Sequence, residues 1–402
     1  MQMAIVGGGA AGFMGAITAA EIQTSASVHL FERGKNVLEK VRISGGGRCN
    51  ATHACFDAHE LIKYYPRGSR ELLAPFLRFG PTETIKWFHD RGVELKTEGD
   101  GRMFPVSDSS STIVDCLLDS ARRAGVHIHT STRISRIQPS DGVFLLHADS
   151  WPAPRRFDKV LLTPGSSTAV WDILAELGHH IIPPVPSLFT FNTKDTRLRD
   201  LSGVSTPQAA LHIPGAKLKA EGPLLVTHWG LSGPAVLRLS AWGARSLAEQ
   251  GHRFPLVVNW SGMSTADMID QLQQTKILDA RKTLHAHAID KLPLRLWQNL
   301  LLAAGIPENM RWADLDHKRL ASLADQITLS RFDIAGKSTF KEEFVTAGGV
   351  SLKEIDFKTF QSKLYPGLFL AGEVLDIDAI TGGFNFQAAW TGGWIAGGGM
   401  GG

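Results

Sequence analysis

The chain has 402 residues, enough for two or three domains, and its 43% hydrophobic and 20% charged content is typical of a globular protein, not of a disordered or fibrous one. A net charge of +3 is too small to indicate or exclude a nucleic-acid partner. Cys49, Cys55 and Cys116 lack the spacing of a zinc site or a disulfide framework, so we predict no metal site and a reducing, cytoplasmic location. We see no signal-peptide pattern and no apolar run of about 18 residues, and we expect no membrane contact.

The first motif follows a strand-like apolar run at residues 4–6. Gly7, Gly9 and Gly12 fit the pattern G-x-G-x-x-G, and a helix-compatible stretch of small residues comes next. In this pattern the first glycine permits a tight turn, the second lets backbone approach a pyrophosphate, and the third lets helix and strand pack closely. A second strand-like run then ends in Glu32, at the spacing of an acid that binds ribose hydroxyls. We therefore predict a dinucleotide site instead of a purely structural turn.

The helix in this motif extends the predicted site. The backbone N–H groups of Ala10 and Ala11 would face the phosphates at the positive end of the helix dipole. Arg33 stands beside Glu32 and is assigned to the same site. An acid at the end of the second strand disfavours a 2′-phosphate on the bound ribose.

A second glycine cluster lies in KVRISGGGRCN, residues 40–50. Successive amides of Gly45, Gly46 and Gly47 can form an anion-binding concavity, to which Arg48 would add charge. The alternative is a flexible loop, but the position soon after Glu32 favours a phosphate- or flavin-facing loop. Cys49 is a proton donor or nucleophile if it faces a redox ring, and otherwise a small buried residue.

A third motif lies near the C-terminus. A buried-strand run at residues 368–370 ends in Gly372 and Glu373, which can present a carboxylate to a polyol. Glycines then open a helical segment whose N–H groups would stabilise negative charge on a reduced flavin ring. We therefore predict FAD, since NAD alone would not need this second half. The residues assigned here are Gly382, Gly383, Phe384 and Asn385.

Six stretches resemble the BaiN/RdsA (YhiN) family of FAD-dependent flavoproteins and cover nearly the whole chain in family order. They are VGGGAAGFMGAI, RISGGGRCN, GRMFPVSDSSSTIVDCLL, THWGLSGPAVLRLS, EEFVTAGGVSLKEID and GLFLAGEVLDIDAITGGFNFQAAWTGG. The resemblance implies an α/β fold, with a Rossmann-like FAD-binding domain formed by the N- and C-terminal segments and an inserted β-rich plus helical domain. One departure is the short loop Thr163-Pro164-Gly165, where the family has a longer glycine-rich stretch that shapes the pocket wall.

The domain boundaries follow from this pattern. We place the first part of the FAD-binding domain at 1–185, the inserted substrate domain at 186–340 and the second part of the FAD-binding domain at 341–402. Within the insert, residues 186–262 are predicted to be β-rich and residues 263–330 helical. His228, in THWGLSGP, is a candidate proton donor or a structural histidine, and the segment YYPRGSR (64–70) is either a base-stacking, phosphate-binding segment or a solvated loop.

The resemblance implies an enzyme that reduces an electron-poor C=C bond with hydride from NAD(P)H. The family is associated with uridine reduction to dihydrouridine in large-subunit ribosomal RNA and with reduction of bile-acid-like enones. We expect the ribosomal RNA substrate first, a small enone second, and a non-catalytic flavin-bound RNA or protein binding module third. Cys49 or His228 would protonate the substrate. No second G-x-G-x-x-G follows, so NAD(P)H is expected as a transient co-substrate, and the oligomeric state is left open.

Overall fold

The computed structural model describes residues 1–289, 291–338 and 345–402. These residues divide into two compact units: the first combines Met1–Val185 with Val345–Gly402, and the second spans Pro186–Phe344. Over the described ranges, no helix has the length and apolar character needed to cross a membrane. The same ranges contain no cluster of three or more His, Cys, Asp or Glu side chains that is arranged to hold a metal ion.

The elements are given in chain order. The N-terminal part contains β1 (Gln2–Val6), α1 (Ala10–Ile22), β2 (Ser27–Phe31), α2 (Glu39–Gly47), β3 (Thr52–His53), α3 (Ala58–Leu61), α4 (Ser69–Arg78), α5 (Pro81–His89), β4 (Leu95–Thr97), β5 (Arg102–Pro105), α6 (Ser110–Arg123), β6 (His127–His129), β7 (Ile134–Ser140), β8 (Val143–Ala148), β9 (Arg155–Phe157), β10 (Lys159–Leu162), α7 (Thr168–Glu176) and β11 (Ile181–Pro186). The second unit continues with β12 (Thr190–Asn192), β13 (Ser205–His212), β14 (Lys219–Thr227), β15 (Gly230–Ser232), α8 (Pro234–Glu249), β16 (Arg253–Asn259), α9 (Thr265–Leu278), α10 (Leu294–Ala303), α11 (His317–Thr328) and β17 (Ser330–Ser338). The C-terminal part adds β18 (Thr346–Val350), β19 (Ile355–Asp356), β20 (Gln361–Ser362), β21 (Leu368–Leu370) and α12 (Phe384–Gly401).

The main sheet of the first unit has the strand order β19-β20-β21-β10-β1-β2-β6. β1 lies near its centre and pairs in parallel with both β10 and β2, while β21 and β6 extend the parallel part on either side. Residues 3–6 of β1 are all buried, as expected for an apolar strand covered on both faces. Ligands of such sheets bind at the carboxyl ends of the strands, where the order of connection reverses, and the first two motifs begin there.

The N- and C-terminal parts of the first unit meet through α1 and α12. Residues 10–20 of α1 are all buried. A Cβ at Gly393 would lie 2.4 Å from the Ala11 carbonyl oxygen, and one at Gly397 would lie 2.4 Å from the Gly15 carbonyl oxygen. Real Cβ atoms do not approach carbonyl oxygens this closely, so glycine is required at both positions. The two helices therefore touch backbone to backbone, and this contact fixes the C-terminal motif beside the N-terminal one.

The second unit is a closed barrel with the strand order β12-β15-β14-β13-β16-β17. β17 follows the helices α9 to α11 and closes the barrel by pairing with both β16 and β12. Its interior is apolar and includes the fully buried rings of Phe191, Trp260 and Phe332. A two-residue turn joins β14 to β15, because Thr227 pairs directly with Gly230.

The predicted α/β fold class is confirmed, with a parallel sheet assembled from both ends of the chain and a β-rich plus helical insert. Strand β11 pairs with β18 and tolerates its prolines as an edge strand. One local expectation differs. The insert regains a strand, β17, directly after its helices, because the barrel closes only when β17 joins β16 to β12.

Replacing Gly393 with Ala should place a methyl group against the Ala11 carbonyl. We expect the free energy of unfolding to fall by about 1–3 kcal/mol, the usual cost of overpacking. The loss should appear although alanine favours an isolated helix by about 1 kcal/mol over glycine. Thermal or urea unfolding followed by far-UV circular dichroism measures the change.

Gly398→Ala is the matched control on the same helix, since its added methyl would be 3.9 Å from the nearest contact, the Ile22 Cδ1 atom. This variant should be as stable as the wild type or more stable. Equal effects of the two substitutions would contradict a backbone contact between α1 and α12.

Candidate functional site

The three glycines of the β1–α1 turn have different surroundings. Gly7 has φ +116°, and a Cβ there would lie 2.3 Å from the Thr163 carbonyl oxygen. A Cβ at Gly12 would lie 2.0 Å from the Gly7 carbonyl oxygen. At Gly9, in contrast, no heavy atom of the described residues lies within 4 Å of the Cβ position. Gly7 and Gly12 are therefore required by packing, whereas Gly9 borders open space.

This open space lies at the N-terminus of α1. Gly9 is the N-cap residue of α1, and among the described residues no side-chain hydrogen bond caps this end of the helix. The first N–H groups of a helix lack partners inside the helix, so those of Ala10, Ala11 and Gly12 point toward the open side of the turn. The turn therefore has the shape and polarity of a phosphate site.

Glu32 stands immediately after β2 and faces the same turn. Its carboxylate accepts the Gly8 N–H (2.8 Å) through one oxygen and the Gly34 N–H (2.7 Å) through the other. Both bonds leave each oxygen with a further lone pair. The side chain is thus held in one orientation and can still accept ribose hydroxyls. Arg33 beside it is exposed.

The second glycine cluster forms a tight left-handed turn. Helix α2 loses its geometry at Ser44, and Gly45, Gly46 and Gly47 have φ values of +58°, +68° and +84°. Glycine adopts such angles without strain. Among the described residues, no heavy atom lies within 4 Å of the Cβ positions at Gly46 and Gly47. Consecutive backbone groups are therefore exposed to a ligand here, as they are at Gly9.

The side chain of Arg48 is already engaged. Its guanidinium pairs with Glu98 (2.6 Å) and lies 3.5 Å from Asp108. It also stacks on Phe104, at 4.0 Å from the ring centroid. The guanidinium is thus held by two carboxylates and one aromatic ring, and the carboxylates offset its charge.

Cys49 is fully buried and has φ +61°. Burial raises the pKa of its thiol to about 12, and a hydrogen bond with Ser44 opposes the shift only in part. The thiol is consequently neutral at physiological pH. These observations match the alternative of a small buried cysteine, because a nucleophile needs the thiolate form.

The C-terminal motif meets the other two. Gly372, with φ +79°, follows β21, and a Cβ there would lie 3.4 Å from the Ala11 side chain. The next residue, Glu373, accepts a hydrogen bond from Lys40 of α2 (2.7 Å). The turn after β21 therefore lies beside the first turn of α1 and is tied to α2.

The N-terminus of α12 is joined to the second glycine cluster. Its N-cap is Gly383, at φ +94°, where a Cβ would lie 2.5 Å from the Thr52 carbonyl oxygen. In the amide orientation that satisfies both groups, Asn50 donates to that Thr52 carbonyl (2.9 Å) and accepts the Gly383 N–H through its oxygen (2.9 Å). Apart from this Asn50 contact, no side chain of the described residues caps α12. The N–H groups of the first helical turn therefore adjoin the site without a side-chain partner.

The remaining residues of this motif have structural contacts. The Asn385 amide accepts the Ala379 N–H (2.9 Å) and donates to the Ala379 carbonyl (3.1 Å), which closes the loop before α12. Phe384 is buried and stacks on Tyr64 and His53, with ring centroids 4.3 and 4.5 Å apart. At these two positions a ligand would meet the backbone and not the side chains.

His228 belongs to the second unit. It is exposed and occupies the two-residue turn between β14 and β15. The turn is rigid, since the Trp229 carbonyl accepts the Thr193 N–H (3.0 Å) and Thr227 donates to the Gly230 carbonyl (3.2 Å). The histidine is therefore presented to solvent on a fixed support.

Three residues of the site were not predicted from the sequence. Thr163 donates its hydroxyl to the Gly7 carbonyl (3.0 Å), so the shortened Thr163-Pro164-Gly165 loop supports the first motif. Lys40 and Asn50 link the second motif to the third through Glu373 and Gly383. Asn50 lies three residues after Gly47, a position that could have drawn attention to it. Lys40 carries no such signal, because its partner is more than 300 residues away.

Comparisons with known proteins agree with this architecture. The profile described as the HI0933-like protein Rossmann domain matches residues 1–399. The chain is 29% identical to the 3-dehydro-bile acid delta(4,6)-reductase of Clostridium scindens, over 98% of each chain. It is also 29% identical to the ribosomal RNA dihydrouridine synthase of Haemophilus influenzae, over 96% of this chain and 95% of the relative.

A similar solved structure is the 3-ketosteroid-delta4-(5alpha)-dehydrogenase from Rhodococcus jostii RHA1. The TM-score is 0.52 at 14% identity, over 98% of this chain and 96% of the other. At this identity the likeness concerns the fold alone. The family profile, in contrast, runs from residue 1 through nearly all of α12 and confirms the resemblance found in the sequence motifs. The chain belongs to the HI0933-like Rossmann-domain family.

Proposed function

We propose that this protein is an FAD-dependent oxidoreductase that reduces an electron-poor C=C bond with hydride from NAD(P)H. Its best candidate substrate is a uridine of large-subunit ribosomal RNA, which would become dihydrouridine. The observations that carry the flavin assignment are the two helix N-termini in one unit, at Gly9 and Gly383, and the exposed glycine backbone at Gly46 and Gly47. An elongated ligand with phosphates at one end and an electron-accepting ring at the other can use one helix N-terminus at each end.

The residues present fit FAD. Open Cβ positions at Gly9, Gly46 and Gly47 leave backbone accessible where a pyrophosphate would lie. Glu32 is held in an orientation that leaves lone pairs for ribose hydroxyls. Glu373, which accepts a hydrogen bond from Lys40, would accept hydroxyls of the ribityl chain. These residues, with Ala10, Ala11, Gly12 and the backbone of residues 382–385, form the proposed cofactor site.

FAD would supply the hydride transfer, and the protein's groups would bind, orient and tune. The N–H groups at the start of α12 favour negative charge on the part of a ligand that they face. The side-chain amide of Asn385 is already hydrogen-bonded to the Ala379 backbone and does not need to reorient. The first turn of α12, and with it the helix dipole, is therefore oriented before a ligand binds.

The proton donor is a separate assignment. His228 is exposed on a rigid turn, and histidine is the side chain used most often for proton transfer in catalysis. Cys49 is a weaker candidate, because a buried thiol with a pKa of about 12 gives up its proton reluctantly. We keep His228 as the proposed acid and assign Cys49 to the packing of the glycine turn.

A second substrate class is a small conjugated enone. One relative is named as a 3-dehydro-bile acid delta(4,6)-reductase. The ribosomal RNA assignment has the matching support of a relative named as a ribosomal RNA dihydrouridine synthase. A non-catalytic, flavin-bound binding module is the third alternative, and it would show no NAD(P)H-driven turnover.

Deletion of the gene, followed by mass mapping of ribosomal RNA, separates these substrates. Loss of a two-hydrogen mass shift at one uridine, restored by the plasmid-borne gene, would support the RNA assignment. An unchanged map would overturn it. Salt-dependent binding of the purified protein to ribosomal RNA is expected with an RNA substrate and not with an enone.

Glu32→Gln should weaken FAD binding by about 10- to 100-fold, because hydrogen bonds to a charged group contribute about 1.5–3 kcal/mol. Titration of FAD fluorescence measures the dissociation constant. Glu39→Ala is the matched control, since this exposed glutamate lies in the first turn of α2 and outside the proposed site. If Glu32→Gln binds FAD as tightly as the wild type does, Glu32 is not part of the cofactor site.

The native thiols should differ in reactivity. At pH 8, Cys49 and Cys116 are buried and should react slowly with a disulfide reagent such as DTNB, while the half-buried Cys55 reacts first. All three should react after unfolding, and Cys55→Ser should remove the fast phase. A fast phase that instead disappears in Cys49→Ala, together with lost turnover, would restore Cys49 as a catalytic candidate.

A further inference from the structure

The segment Tyr64-Tyr65-Pro66-Arg67-Gly68, here named the clamp segment, lies against the loop that leads into α12. The sequence offered it as a base-stacking surface or as a solvated loop. Its backbone runs antiparallel to residues 377–380, with a bridge between Arg67 and Asp378. The Ile380 N–H donates to the Tyr64 carbonyl (3.1 Å).

Tyr65 connects the clamp segment to the helix itself. Its side chain is buried, with 1% exposure, and its hydroxyl donates to the Phe384 carbonyl oxygen (2.6 Å). The neighbouring ring of Tyr64 stacks nearly parallel on Phe384, at an interplanar angle of 12°. The first residue of α12 is thus held by a hydrogen bond and by a ring contact from the same segment.

Arg67 fixes the loop before the helix. Its guanidinium donates from two nitrogens to the two carboxylate oxygens of Asp378. The Asp378 side chain is fully buried and that of Arg67 is 11% exposed. A buried carboxylate that lost such a partner would be strongly destabilised, so this pair holds the loop in one position.

Neither sequence-based alternative describes these residues. Tyr65 is buried and cannot stack on a base, and the charge of Arg67 is satisfied by Asp378. The contacts of the clamp segment converge on the loop that ends in Gly382 and Gly383. Those glycines have φ values of +133° and +94° and restrict the backbone little by themselves. An external support is therefore required if the start of α12 is to keep one position.

We propose that Tyr65 and Arg67 are positioning residues that hold the N-terminus of α12 against the flavin ring and so raise the reduction potential of bound FAD. This inference rests on the proposed function, because it takes FAD as the ligand. The N–H groups of α12 stabilise negative charge only close to the first turn of the helix. A small displacement of that turn would therefore weaken the binding of reduced FAD more than the binding of oxidised FAD.

Tyr65→Phe tests the inference with little change in volume. It removes the hydroxyl that reaches Phe384 and keeps the buried ring. We expect the midpoint potential of bound FAD to become more negative, with about fivefold weaker binding of reduced FAD, the equivalent of one net hydrogen bond. Arg67→Lys, which keeps the charge but loses the paired geometry, should shift the potential in the same direction. Spectroelectrochemical titration and fluorescence titration give the two quantities.

Arg70→Ala is the matched control, since this exposed arginine lies just beyond the clamp segment. It should bind FAD with the potential of the wild type. Far-UV circular dichroism checks that each variant is folded, and Tyr65→Phe keeps the test usable if Arg67→Lys does not fold. A folded Tyr65→Phe protein with the potential of the wild type would overturn the inference and leave the proposed function standing. A wild-type chain that binds no FAD would overturn both.

Discussion

The backbone contact between α1 and α12 is the constraint on which the rest of the first unit depends. Gly393 and Gly397 bring the last helix within touching distance of Ala11 and Gly15, residues of the helix that follows the first glycine turn. Side chains larger than hydrogen at these two positions would push the helices apart. Because Gly372 also lies against Ala11, the same contact aligns the turn after β21 with the turn after β1. Two motifs that are more than 350 residues apart thus face the same ligand space.

The site that results is built mainly from backbone. The open positions at Gly9, Gly46 and Gly47 and the N-terminal ends of α1 and α12 offer N–H groups, which every residue except proline carries. Side chains enter mostly as supports: Thr163 on Gly7, Asn50 on Gly383, and the Arg67–Asp378 pair behind the loop. Such a frame constrains a few glycines and a few polar partners and leaves most of the sequence free.

The sequence predicted those parts of the structure whose signal is local. Gly7, Gly9, Gly12 and Glu32 follow a spacing that links two strands, one turn and one helix, and the two strands pair in parallel, as the Rossmann-like expectation implies. The supports could not be predicted, because Asn50, Lys40 and Arg67 find partners more than 300 residues away, and no spacing encodes such a pairing. Strand β17 could not be predicted for a similar reason, because its strand conformation depends on pairing with β16 and β12 in the closed barrel. The burial of Cys49 likewise comes from tertiary packing, which a three-glycine pattern does not reveal.

The central claim is that both ends of the chain together bind one flavin. The most direct measurement is the visible absorption spectrum of the purified protein after incubation with FAD and removal of free cofactor, followed by quantification of the released nucleotide. Our account predicts a yellow protein with about one FAD per chain, by the single-site geometry of such folds. A colourless protein, or one that retains only nicotinamide dinucleotide, would contradict it.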